Sequence, residues 1–192
     1  MTSAGRTVAA LLVSLSVLGS PCLNAAAASE AGVLLDQTGT PVPASELDGH
    51  YLLVYFGYTS CPDICPTTLT LMSDVLTKLE PDTANLRAFF VSVDPLRDTV
   101  AAMHEYLRHF HPRLTGLTGS PGDLAAVARK FGVVVHPGAP HGDIEHGVFI
   151  YFVGPDGQVL QIFHPRESSG VILAAIRAAM SQPKNAGNRG RK

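Results

Sequence analysis

The stretch YLLVYFGYTSCPDICP, residues 51–66, decides how the chain is read. Its first six residues are apolar on both faces of an extended chain, the pattern of a central strand buried on both sides. Leu69, Met72, Leu76 and Leu79 then recur at helical spacing, which predicts a helix from Ile64 to Leu79. Cys61 therefore falls just after a buried strand and Cys65 at the opening of a helix. Unpaired N–H groups and the helix dipole favour negative charge there, so the expectation is a stabilised thiolate and a lowered thiol pKa. Pro62 and Pro66 suit an early turn, where a missing N–H costs nothing. Residues four apart on a helix have Cβ atoms about 5–6 Å apart. That spacing allows a disulfide after modest adjustment, or two thiolates converging on one metal ion. Redox motifs of the C-x-x-C kind have two intervening residues; this pair has three. An inert disulfide or two buried thiols is the plainer alternative, and the strand-to-helix position argues against it.

Working outward, strands are expected at Val33 to Gln37, Leu86 to Val93, Val133 to Val135, Val148 to Val153 and Val159 to Phe163. The last two flank GPDGQ, a hairpin turn. A second helix is expected from Asp98 to Phe110. A third opens with Ser120 as cap, Pro121 at its first position and Asp123 at capping-box spacing, and stops at Gly132. The last runs from Ser169 to Met180. There is no internal repeat and no second domain. The order reads strand, helix, strand, helix, helix, strand, hairpin, helix. The fold class is α/β with the layout of a thioredoxin-like domain: a central mixed β-sheet flanked by helices, an insertion over Asp94 to Val135, and a C-terminal β-hairpin and helix.

Two thiolates leave a soft metal under-coordinated. His146, in HGDIEHGVFIYF, precedes the expected strand Val148 to Val153. In a thioredoxin-like layout the loop before that strand lies against the cysteine-bearing helix start. Two thiolates and one imidazole suit copper(I) in a trigonal site, or copper(II) with an added oxygen ligand; zinc accepts the same donors. His136 and His141 share the loop at intervals of five and form a candidate secondary site, against the plainer reading of loop histidines beside Pro137 and Pro140. His104, His109 and His111 have no pair on one helical face and read as structural or surface residues. His164 has no evident partner.

YFGYTSCPDICPTTL resembles the signature of the Sco/SenC family of thioredoxin-like copper proteins. DQTG (Asp36 to Gly39), VSVDPLRDT (Val91 to Thr99), YLRHFHP with GLTG (Tyr106 to Gly119) and the surroundings of His146 are similar in the same order. The resemblance covers about Val33 to Met180. It implies one copper, Cu(I) or Cu(II), per chain, held by Cys61, Cys65 and His146. It implies a metallochaperone role in assembling the CuA centre of cytochrome c oxidase, with the oxidase subunit II CuA domain as partner. The alternative it carries is a thiol–disulfide reductase that keeps the copper-site cysteines of subunit II reduced. In that role Cys61 and Cys65 would be the redox-active pair and His146 would be dispensable. Asp94 is a candidate additional oxygen ligand or neighbour of the site. Arg97 and Asp98 read as a local pair, with Asp98 the better helix cap. No motif of a peroxide-reducing cysteine is present.

Composition sets the surroundings. The chain has 192 residues, enough for one domain with a proper core. Residues 1–28 read as a signal peptide: Arg6, an apolar run from Val8 to Leu18 too short to span a bilayer, and A-x-A sites over Ala25 to Ala28. An uncleaved membrane anchor is the runner-up, and lipidation at Cys22 a third reading that Pro21 opposes. Cleavage leaves Cys61 and Cys65 as the remaining cysteines, too few for a disulfide scaffold. Residues 29–183 then form the domain and 184–192 a disordered basic tail. Between Glu30 and Pro183 stand 16 acidic and 9 basic side chains, a net charge of −7, which excludes a nucleic-acid role. The expected location is the bacterial periplasm or the outer face of the inner membrane. Other periplasmic copper chaperones are further candidate partners, as is a membrane surface for the tail.

Overall fold

The computed structural model describes residues 33–43, 47–80, 85–136 and 144–181. In chain order the elements are β1 (Leu34–Asp36), β2 (Pro41–Val42), β3 (Tyr51–Gly57), α1 (Ile64–Leu79), β4 (Leu86–Ser92), α2 (Val100–Leu107) and β5 (Leu114–Thr118). They continue with α3 (Pro121–Lys130), β6 (Val135–His136), β7 (Glu145–His146), β8 (Ile150–Val153), β9 (Val159–Phe163) and α4 (Ser169–Ser181). Signal, tail and His141 lie outside the described residues.

Apolar β3, β4 and β8 take the middle of the sheet because both their faces must be covered. The strand order is β2-β1-β5-β4-β3-β8-β9. β4 runs parallel to β3 from Tyr51 opposite Leu86 to Gly57 opposite Ser92, and β5 runs parallel to β4. β8 closes the other side of β3 antiparallel, with Leu53 opposite Phe152, and β9 returns against β8. Parallel neighbours need crossovers; α1 and α2 supply them. This is the thioredoxin-like α/β fold. β6 and β7 form a separate ribbon in which Val135 faces His146.

Alternation along β3 sends neighbouring side chains to opposite faces. Tyr55 stacks on Phe90, with ring centroids 6.1 Å apart, and Phe90 meets Tyr106 of α2 at 5.8 Å. Phe56 points the other way, to Phe131 after α3 at 5.3 Å and Tyr151 of β8 at 5.9 Å. Helix α4 is tied to β3 by the Tyr51 hydroxyl, which donates to the Ala179 carbonyl at 3.0 Å.

Several expectations hold. α1 and β9 fall where the periodicity puts them. Ser120 accepts the Asp123 N–H at 3.2 Å, and Gly132 adopts the left-handed φ of 67° that stops a helix. The GPDGQ turn closes with the Gly154 N–H donating to the Gln158 carbonyl at 2.8 Å.

Other parts of the reading are corrected. A strand, β5, stands between α2 and α3 where two consecutive helices were expected. Its sequence LTGLT carries a glycine, which weakens a strand signal. Gly116 is required by packing: a Cβ there would overlap the Leu107 side chain of α2. Helix α2 begins two residues later than expected, and its cap is Thr99, which accepts the Ala102 N–H at 3.2 Å. Asp98 does not cap it, and Arg97 pairs with Asp94 instead. The strand expected at Val133 to Val135 is Val135–His136, and β8 begins at Ile150.

Candidate metal centre

The end of β3 sets both cysteines. The Cys61 N–H donates to the Tyr58 carbonyl at 3.2 Å, which folds Tyr58–Cys61 into a turn. α1 starts three residues later and puts Cys65 in its first turn. Cys65 has 0% exposure and Cys61 8%; neither is in a disulfide. The Cys61 thiol lies within hydrogen-bonding reach of Cys65. The Cys65 sulfur also accepts from the Tyr55 hydroxyl, at 3.5 Å, and from the Tyr58 backbone N–H. Gly57 makes this approach possible, because a Cβ there would lie 2.9 Å from the Cys65 sulfur and 2.7 Å from the Phe90 ring.

The expected lowering of the thiol pKa is reversed at Cys65. Burial pushes this thiol up to about 12 and outweighs the hydrogen bonds from Tyr55 and Tyr58 that favour the thiolate. The helix start gives partial positive charge, but a sulfur with no solvent contact loses more hydration than that charge returns.

His146 lies in β7. Its Nδ1 donates to the Gly147 carbonyl at 2.9 Å, which fixes the tautomer and leaves Nε2 with its lone pair free for a metal. Burial lowers its pKa, keeping the imidazole neutral. Its ring meets Tyr58 edge-on at 5.9 Å. Tyr58 thus touches Cys65 through its backbone and His146 through its ring. Among the described residues, no three His, Cys, Asp or Glu side chains are grouped closely enough to hold one ion: the thiols adjoin each other, and His146 stands against Tyr58. The donor set, two unpaired thiols and a neutral imidazole, nevertheless fits a soft metal.

Asp94 is 6% exposed and ion-paired with Arg97, whose guanidinium lies over the Tyr58 ring at 5.8 Å. His136 is exposed, in β6 opposite Glu145. His111 sits 3.4 Å from Glu80, and His164 packs on Phe149 with centroids 5.9 Å apart, so both have partners.

Sequence reasoning missed the supports of the site. Asp98 has 0% exposure. Its carboxylate accepts the Thr59 N–H at 3.1 Å, the Thr59 hydroxyl at 2.6 Å and the Ser92 hydroxyl at 2.6 Å. Tyr55 was read only as apolar filling. The available signal was its hydroxyl, since a tyrosine in a doubly covered strand requires a polar partner.

The fold and site define a thioredoxin-like dithiol protein with an imidazole held against the neighbouring Tyr58 ring. The SCO1/SenC family model matches residues 24–181, and the chain belongs to that family. It is 40% identical over 150 residues to a mouse mitochondrial protein SCO2 homolog, covering 75% of this chain and 59% of the relative. The chain thus spans little more than half the length of that relative. An SCO2-like protein of Rickettsia conorii is 36% identical over 151 residues, covering 75% and 73%. The structure of Bradyrhizobium japonicum ScoI with copper bound aligns with a TM-score of 0.70 at 37% identity, over 77% of this chain and 96% of that one. Yeast Sco1 with copper bound aligns at 0.73 and 28% identity, over 83% and 92%.

Proposed function

We propose that the chain binds one copper ion through Cys61, Cys65 and His146 and delivers it, as cargo, to the CuA centre of cytochrome c oxidase subunit II. The observation that carries this is the pair of unpaired, adjoining thiols at the start of α1, in a chain 37% identical to a ScoI that holds copper. His146 would join by moving its loop from Tyr58 toward the thiols. Asp94, once released from Arg97, would supply the oxygen ligand for copper(II). His136 and His141 would offer a transient second site on the same loop. The role places the domain outside the cytoplasm, in the periplasm or on the outer face of the inner membrane, with residues 1–28 as signal or anchor. Among the described residues no helix is long and apolar enough to cross a membrane.

The reductase reading is supported by the two free, buried thiols four residues apart at the start of α1. It is also favoured by likeness to BsSco, described as a member of the Sco family of cytochrome c oxidase assembly proteins with a disulfide switch, at 26% identity and a TM-score of 0.68. Copper stoichiometry and affinity of the reduced protein, beside Cys61→Ser, Cys65→Ser and His146→Ala, separate the two. The chaperone reading expects one copper, lost or severely weakened in all three variants. No stable copper in the parent would sink it; His146→Ala that still exchanges disulfides but holds no copper would separate the two activities.

A further inference from the structure

The two thiols are held in different ways. Cys65 is inside α1, has no exposed surface and rests against β3 where Gly57 lacks a side chain. Its sulfur accepts two hydrogen bonds, from the Tyr55 hydroxyl and the Tyr58 N–H. Tyr55 is itself fully buried and stacked on Phe90, so its hydroxyl has little freedom to turn away. Cys61 sits outside the helix, in the turn, and keeps the little exposure the pair has.

We propose that Tyr55 is a positioning residue that makes Cys65 the fixed sulfur ligand, leaving Cys61 as the ligand that exchanges when metal leaves. The proposal rests on the reading of both cysteines as copper ligands. A hydrogen bond to a thiolate is charge-assisted and stronger than one to a thiol, so the Tyr55 contact tightens once Cys65 is metal-bound. Hydrogen bonding at a copper-bound cysteine sulfur also tunes the metal's potential. Of the two sulfurs, Cys61 is the one with exposed surface, so an acceptor thiol approaches from its side. Its sulfur forms a bond to copper(I) as the bond from copper to the Cys61 sulfur breaks. The acceptor's proton passes to the Cys61 sulfur, and copper keeps its oxidation state throughout.

Timed iodoacetamide labelling of the full, reduced, metal-free chain, read by peptide mass, tests the asymmetry without copper. Cys61 is expected to label about tenfold or more faster than Cys65. Equal rates would overturn the proposal. Tyr55→Phe, checked for folding by circular dichroism, tests the hydroxyl. It should still bind one copper. Its thiolate-to-copper(II) absorption should move to longer wavelength, its midpoint potential should fall, and bicinchoninate should remove copper(I) about tenfold faster, the worth of one hydrogen bond to a charged group. An unchanged band, potential and release rate in a folded variant would overturn it. A parent that takes up no copper fails the proposed function, and the labelling order then decides the asymmetry alone.

Discussion

Asp98 reaches across from the loop after β4 to grip Thr59, accepting both its N–H at 3.1 Å and its hydroxyl at 2.6 Å. Thr59 stands two residues before Cys61, so a buried carboxylate holds the turn that carries the first thiol. Asp98→Ala leaves the Thr59 and Ser92 donors without their acceptor in a buried place. We expect a loss of about 2–4 kcal/mol in denaturant unfolding of the metal-free protein, together with weaker copper binding.

The same residue gives a pH test. Burial raises the Asp98 pKa in the folded chain above its ordinary carboxylate value. The folded state therefore holds that proton more firmly than the unfolded state. The associated stabilisation is fully present below the ordinary pKa and is lost as pH rises through the folded one. Measured against Asp98→Asn, the parent should gain relative stability as pH is lowered from 7 toward 4. A stability difference that stays flat with pH would contradict the shift.

Cys65 behaves in the same sense at the alkaline end. Its thiol, at about 12, is protonated at neutral pH, so metal uptake must release that proton. In weakly buffered solution at pH 7, copper(I) binding should release about one proton fewer in Cys65→Ser than in the parent, after normalising to copper bound. The metal-free parent should also lose stability relative to that variant as pH rises from 9 toward 12.

His146 runs opposite. Burial lowers its pKa below the ordinary 6.5. The unfolded chain takes up a proton there before the folded chain does, so the contribution is present above 6.5 and lost as pH falls. Unfolding at pH 7.5 and 5.5 should show the parent losing ground to His146→Ala.

Two glycines separate packing from chemistry. Gly57→Ala places a methyl against the Cys65 sulfur and Phe90, while Gly116→Ala places one against Leu107. Each should destabilise by about 1–3 kcal/mol through overpacking. Copper affinity, measured by chelator competition, should fall for Gly57→Ala and stay near the parent for Gly116→Ala.

Much of this was legible in the chain. The period of Leu69, Met72, Leu76 and Leu79 marks out α1, and the burial of both faces of β3 and β4 follows from the runs YLLVYF and LRAFFVS. The cysteine pair and its place after β3 were also readable, because strand and helix signals are local. What escaped depends on contacts distant in sequence. β5 hides behind Gly116, whose reason is Leu107. Asp98 has the appearance of a helix cap until Thr59, 39 residues away, claims its carboxylate. The thiol pKa was misjudged because the helix end is a local feature, while the burial that outweighs it is made by the whole sheet.

β3 receives β4 on one side and β8 on the other, so the sulfurs and the imidazole come from opposite sides of one strand's pairing. A chain folding from its N-terminal side can complete β3, α1, β4 and β5 with both sulfurs seated while the far edge of β3 is still open. The imidazole comes from the segment leading into β8, 85 positions after Cys61. A nascent or damaged molecule would thus have two sulfurs and lack the third donor. On the proposed ligand set, full metal capture would certify complete folding, and cargo would pass only to finished molecules.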